Sequence, residues 1–317
     1  MFIEPMAPGW QMVLLMVVTL ITCGMAIRFF EHKLPSDRGR EFAFQAEKAE
    51  GKYTSTGIIF ISVFVALSLI LVRLNWEIRF YIFAVFAEMM TGYLDDNSKK
   101  PWGELKKGLL DFAIAAFIAV VYIYFNGNNI LLPILNTTWN IPIPLLFFLI
   151  VVLNWVSINV TNITDGVDSL STRLAIVTLL SSMVAAMKLG TLGQMRPIYL
   201  IFLAVLFVFL YLNAIPSSHL MGAAGARAMG VFISIALLKT GAPFLYIPFA
   251  FLFIFDGASS LLKLSFIRYL KWKNFMKDIQ TPLHDHYRKK LGWSNEQTVT
   301  RFVLLQLLIS IITLYLM

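Results

Sequence analysis

The sequence predicts an all-α, polytopic membrane protein of about ten transmembrane helices, on three observations. Apolar residues make up 58% of the 317-residue chain and charged residues only 14%. Mean hydropathy is +0.75, which excludes an ordinary soluble domain and a disordered chain. Long apolar runs recur throughout without the alternation of strands, and open sheets cannot span lipid.

A span needs roughly 17–25 largely apolar residues. That length picks out 9–30, 56–73, 77–94, 108–125, 142–163, 172–189, 195–213, 228–240, 243–267 and 299–317. The first run lacks a basic n-region and a small-residue cleavage site, so it reads as a permanent span and not a signal peptide. It holds the single cysteine, Cys23, which excludes a disulfide within the chain. The third run carries Glu88 and the eighth is short, which makes these two the weakest spans. Residues 126–141, rich in Pro, Asn and Gly, read as an inert turn or a small hairpin. No internal repeat or soluble domain stands out, so residues 1–317 read as one transmembrane domain.

Loops 31–55, 95–107, 164–171, 214–227 and 268–298, with their immediate flanks, hold 20 of the 26 Lys and Arg residues. The positive-inside rule then places these loops in the cytoplasm and both termini outside. The net charge of +8 reflects this bias. With no basic domain apart from the spans, nucleic acid is not an expected partner; the lipid bilayer is.

Four polar segments fall on the cytoplasmic side of this map. Gly92-Tyr-Leu-Asp95-Asp96 closes the third run, and Lys99, Lys100, Lys106 and Lys107 follow. Adjacent carboxylates repel and need a cation, a basic neighbour or a proton. Magnesium suits such a pair together with substrate phosphates; a solvated helix end is the plainer alternative. Asn159-Val-Thr-Asn162-Ile-Thr-Asp165-Gly-Val-Asp168 ends the fifth run. Steps of three place 159, 162 and 165 on one broad helical face. Gly166 is expected to let the helix end, with Asp168 reaching back from the loop. Four such groups exceed what a cap needs, and ionisable groups at a span's end point to function.

Asn213 to Gly230 is rich in small residues, which suit either close approach of a ligand or close helix packing. Thr281-Pro-Leu-His284-Asp-His286-Tyr-Arg-Lys-Lys-Leu-Gly-Trp293 places two histidines one residue apart. An extended backbone would point them to opposite faces; a basic, aromatic segment resting on anionic lipid is the alternative. A zinc site is not expected from four His and one Cys without ligand spacing. A transporter would place its ionisable groups near the midplane. Clustering on one face instead suggests chemistry on a soluble substrate at the lipid boundary.

These motifs resemble those of the polyprenyl-phosphate N-acetylhexosamine-1-phosphate transferases over nearly the whole chain. Asn159–Asp168 matches that family's Asn-x-x-Asn-x-x-Asp-Gly-x-Asp pattern at every fixed position, and Gly92–Asp96 matches its Asp-Asp motif. Lys52–Phe60 resembles an altered Pro-Thr-Met-Gly-Gly stretch. Pro282–His286 resembles the Pro-Leu-His-His-His motif of the muramoyl-pentapeptide branch.

The resemblance implies a multi-pass protein of the bacterial inner membrane. It would transfer phospho-N-acetylmuramoyl-pentapeptide from UDP to undecaprenyl phosphate, release UMP and use Mg2+. It implies Asp95, Asp96 and Asp168 as the catalytic set, with Asp96 and Asp168 also holding the metal. Asp95 would lie near the lipid phosphate, and Lys107, or Lys106 in its place, would bind phosphate. Asn162 and Asp165 would line the uridine and sugar region with Asp168, and Asn213 would contact the nucleotide. His284 and His286 would bind the far phosphate or the sugar, and Lys52 and Asn159 complete the substrate-binding set. It also implies nucleoside antibiotics as ligands of the uridine pocket. A homodimer is expected only because dimers are common among helical membrane proteins.

Several positions depart from the pattern. The family's Phe-Met-Gly-Asp-x-Gly-Ser is Leu220-Met-Gly-Ala223-Ala-Gly-Ala226 here, so Ala223 replaces a metal-binding carboxylate, and Arg227 stands at an apolar position. Ser169 replaces a usual Gly, and Asp285 a usual His. The stretch His286–Gly292 is one residue longer than in the muramoyl branch, as in the branch that uses UDP-N-acetylglucosamine. That sugar donor and a catalytically impaired binding relative are therefore the alternatives.

Overall fold

The computed structural model describes residues 3–36, 51–98, 100 and 102–317. Most of the loop expected at 31–55, and Lys99, lie outside the described residues. The chain forms α1 (Gly9–Phe30), α2 (Gly57–Leu71), α3 (Trp76–Asp96) and α4 (Glu104–Asn126). A hairpin of β1 (Asn129–Leu132) and β2 (Thr137–Asn140) follows. The rest is α5 (Ile143–Thr164), α6 (Leu170–Lys188), α7 (Met195–Asn213), α8 (Gly222–Leu238), α9 (Tyr246–Phe249), α10 (Phe251–Arg268), α11 (Leu283–Lys289) and α12 (Asn295–Leu316).

All ten apolar runs fall on helices. Six helices among the described residues are long and apolar enough to cross a membrane, or seven if a bent pair counts as one span. Of the others, α2 and α8 have 15 and 17 residues, and α3 carries Glu77, Arg79, Glu88, Asp95 and Asp96.

Helix α8 sits in the middle, packed by α2, α3, α5 and α6. Nearly every residue in it is buried, and apart from Arg227 and Ser234 it is apolar or glycine throughout, as an enclosed helix should be. Lipid is as apolar as leucine, so close backbone approach and hydrogen bonds hold such helices together. A Cβ on Gly57 would lie 2.1 Å from Gly225 N, and one on Gly92 would lie 2.5 Å from the Ala223 carbonyl oxygen. Ser157 donates to Gly230 O at 2.7 Å, and Thr161 donates to Ala226 O at 3.0 Å. The small residues of 213–230 thus serve packing. α8 begins at Gly222, so the expected loop 214–227 shrinks to 214–221.

The ninth run is not one straight helix. Residues Pro243–Phe249 and Phe251–Arg268 meet at 85°. A break at this depth must satisfy its freed backbone groups inside the protein. Gln306 of α12 accepts from Leu252 N at 2.9 Å and donates to Pro248 O at 2.9 Å, while Thr178 donates to Phe249 O at 2.6 Å.

The loop expected at 95–107 also shrinks, because α3 continues through Asp95 and Asp96 and α4 starts at Glu104. The two histidines lie not on extended backbone but on the helix α11, which starts directly after Pro282. His284 is therefore buried, and His286 lies on a more open face.

Candidate active site

The polar segments meet at one end of the bundle through a backbone seam. Residues 53–57 pair with 218–221: Tyr53 N donates to Ser218 O (3.2 Å), Leu220 N to Tyr53 O (2.7 Å), Thr56 N to Leu220 O (3.1 Å) and Gly57 N to Met221 O (3.0 Å). This seam places Lys52 and Ser55 against the ends of α3, α5 and α8.

Lys52 Nζ lies 2.9 Å from Asp168 Oδ2 and 2.8 Å from Ser217 Oγ. Ser217 N also approaches Asp168 Oδ2, at 3.4 Å. Three residues on, Ser55 Oγ donates to Asp96 Oδ2 at 3.0 Å, and Ala224 N at the start of α8 approaches the same oxygen at 3.4 Å. Three residues of chain span at most about 11 Å, so Lys52 with Asp168, and Ser55 with Asp96, form one neighbourhood. Gly222 has φ +70, and a Cβ there would lie 2.8 Å from Asp96 Oδ2, so only glycine fits this turn beside the carboxylate.

Asp95 points elsewhere. Its Oδ1 accepts from Trp102 N at 2.9 Å, and its Oδ2 lies 2.5 Å from Lys107 Nζ. Asp165 follows α5 and accepts from Ser171 at 2.5 Å. Gly166 is needed for space: a Cβ there would lie 2.6 Å from His284 Nε2. The left-handed residue of this turn is Ser169, at φ +66, which explains why a glycine would suit that position. Arg288 of α11 pairs with Asp285 at 3.2 Å. Burial pulls Arg288 below the ordinary arginine value, and the nearby Asp285 and Asp168 oppose that shift.

Three expected residues sit differently. Asn159 turns toward α4: its amide donates to Trp155 O at 2.8 Å and approaches Asp111 Oδ2 at 3.4 Å, while Asn162 is exposed. Asn213 is a buried brace whose Oδ1 accepts from Ser169 N at 2.8 Å and whose Nδ2 donates to His219 O at 2.9 Å. His286 Nδ1 accepts from Gln280 N at 3.2 Å.

The donor set does not fit a resident magnesium ion as it stands. Among the described residues no group of three or more His, Cys, Asp or Glu side chains converges. Asp168 already holds an ammonium, Asp96 already faces the amide end of α8, and position 223 offers only a methyl group.

Two carboxylate groupings escaped the sequence reading. Arg227 binds Glu88 at 2.8 Å and also binds Asp111, tying α8 to α3 and α4; all three side chains are buried. Asp256 of α10 is buried against His284. The available signal was an ionisable residue inside an apolar run, which Asp111 and Asp256 both are.

Residues 78–241 match the family model described as glycosyl transferase family 4. The chain belongs to glycosyl transferase family 4. Three relatives carry the name phospho-N-acetylmuramoyl-pentapeptide-transferase. That of Treponema pallidum is 37% identical, covering 88% of this chain and 81% of its own. That of Clostridium acetobutylicum is 28% identical, covering 84% of each chain. That of Campylobacter lari is 25% identical, covering 96% of this chain and 93% of its own. This family 4 member shares its extent with them, and the match includes the Asp95-Asp96 and Asn159–Asp168 segments.

Proposed function

We propose that this chain transfers phospho-N-acetylmuramoyl-pentapeptide from its UDP derivative to undecaprenyl phosphate in the bacterial inner membrane. An oxygen of the lipid phosphate attacks the β-phosphorus of the UDP-sugar. A new P–O bond forms, the bond from that phosphorus to the bridging oxygen breaks, and UMP leaves with the electron pair. Phosphoryl transfer needs positioning and positive charge more than covalent help.

The observation that carries the reading is the cluster of cations held by carboxylates at one end of the bundle. Lys52 on Asp168, Lys107 on Asp95 and Arg288 beside Asp285 are within or near their partners' reach. Each can exchange a carboxylate for a phosphate oxygen without losing its counter-charge. Asp96 faces the positive end of α8, which also favours a phosphate there. Asp165 and the Asp168 turn offer acceptors for uridine or sugar hydroxyls.

The test is a comparison of donors. UDP-N-acetylmuramoyl-pentapeptide and UDP-N-acetylglucosamine are each incubated with the purified protein and undecaprenyl phosphate, and UMP is measured. The reading expects release with the first donor in clear excess over the second. Release with the second alone would contradict it. A binding relative without turnover is a second reading, favoured by Ala223 and by the occupied Asp168. It expects UDP-sugar binding without UMP at any magnesium concentration.

A further inference from the structure

We propose that Asp256 is a positioning residue for His284; this rests on the reading of His284 as a substrate contact. Asp256 lies inside α10 with 0% exposure, and His284 is 2% exposed. A carboxylate in an apolar helix is costly unless it is paired. Here both oxygens are used on one residue. Oδ1 accepts the backbone N–H of His284 at 2.8 Å, and Oδ2 lies 2.7 Å from His284 Nδ1. The first bond satisfies an open amide in the first turn of α11. The second sets the ring.

The ring's other end is crowded by its neighbours and carries no hydrogen bond of its own among the described residues. Nε2 abuts Gly166, where a Cβ would come within 2.6 Å, and lies 3.8 Å from Asp285 Oδ1. Asp256 itself is held by its neighbour: a Cβ on Gly257 would lie 2.6 Å from Val160 Cα in α5. The carboxylate thus holds the imidazole, and the imidazole's Nε2 side lies against the Asp165–Asp168 turn at Gly166. A carboxylate only accepts, so Nδ1 must carry its hydrogen and Nε2 is the atom left to face the turn. Asp256 chooses both the direction of the ring and the nitrogen it offers.

Asp256→Asn separates the two bonds. The carboxamide oxygen still accepts from His284 N, so the start of α11 is kept. Its NH2 group now donates to Nδ1 and moves the ring hydrogen to Nε2. D256N, H284Q and the double variant are compared by kcat and KM for UMP release, by calorimetric binding of UDP-N-acetylmuramoyl-pentapeptide, and by thermal unfolding. D256N is expected to lower kcat by about 10- to 100-fold with unfolding little changed. In the H284Q background the same substitution is expected to cost less than about threefold, since it acts through the ring alone. If D256N fails to fold, D256E carries the same cycle.

D256N with wild-type kcat overturns the proposal, as does a loss carried undiminished into H284Q. H284Q with wild-type turnover and affinity overturns the reading of His284 itself, and the role of Asp256 with it. Where wild type releases no UMP, the cycle is read on the dissociation constant, with the same pattern expected. No binding to wild type would overturn both.

Discussion

Lys52 and Asp168, 116 residues apart in sequence, meet with Nζ 2.9 Å from Oδ2. Both side chains are largely buried, at 15% and 18% exposure, so neither charge is replaced cheaply by water. K52M leaves Asp168 facing Ser217 without its cation. Transfer is expected to fall by about 100-fold or more, the scale of losing one aimed charge in a site. Steady-state UMP release checks this, and a K52M variant with wild-type rates would remove Lys52 from the account.

Arg227 between Glu88 and Asp111 predicts an asymmetry in stability. R227M strands two buried carboxylates, which is expected to cost about 3–5 kcal/mol. Replacing all three, as R227M/E88M/D111M, removes the stranded charge and is expected to recover much of that loss. Unfolding midpoints in detergent compare the two. A triple variant no better than R227M would show that the network does more than balance charge.

Ala223 predicts a weak affinity for divalent ions in the absence of substrate. Its place in the first turn of α8, where Ala224 N approaches Asp96 Oδ2 at 3.4 Å, would set a second carboxylate beside that of Asp96. A223D is therefore expected to raise Mn2+ affinity by about tenfold or more, read by paramagnetic resonance, and to steepen the magnesium dependence of transfer. Equal Mn2+ binding by both proteins would count against the donor-set argument.

His219 predicts a loss of stability in acid. Burial lowers its affinity for protons below the ordinary value of 6.5, and Glu31 opposes the shift only in part. The unfolded chain then binds the proton first as pH falls, so stability is level above about 6.5 and declines below it. The seam of 53–57 with 218–221 should loosen in that window. Unfolding temperatures at pH 8 and 5.5 should differ more for wild type than for H219Q; an equal difference would place the acid sensitivity elsewhere.

The helices were readable because most of their apolar runs are long, even where Glu88, Asp111 or Asp256 falls within one. Where the structure departs from that reading, hydropathy carried no signal. Gly222–Arg227 reads as a loop by hydropathy, yet Gly225 and Ala223 are small because Gly57 and Gly92 press on them. The run 243–267 is apolar through its 85° bend, and the groups that satisfy the bend come from Gln306 and Thr178, far away in sequence. In the site, Asp96, Asp165 and Asp168 were visible as motif residues. Their serine partners, Ser55, Ser171 and Ser217, were not, nor was Asp256 beside His284, because a lone serine or a single aspartate in a span has no spacing to mark it. Asn213, which the motif resemblance put at the nucleotide, bonds Ser169 and His219 here, partners no spacing in the sequence marks.

If one carboxylate and lysine cluster at the bundle end moves a sugar phosphate between two carriers, sealed proteoliposomes given UDP-N-acetylmuramoyl-pentapeptide and undecaprenyl phosphate should yield equal amounts of UMP and the lipid diphosphate sugar by mass spectrometry. Both products should be lost in K52M and D96N. Unaltered donor accumulating inside the vesicles, with no lipid product, would contradict it.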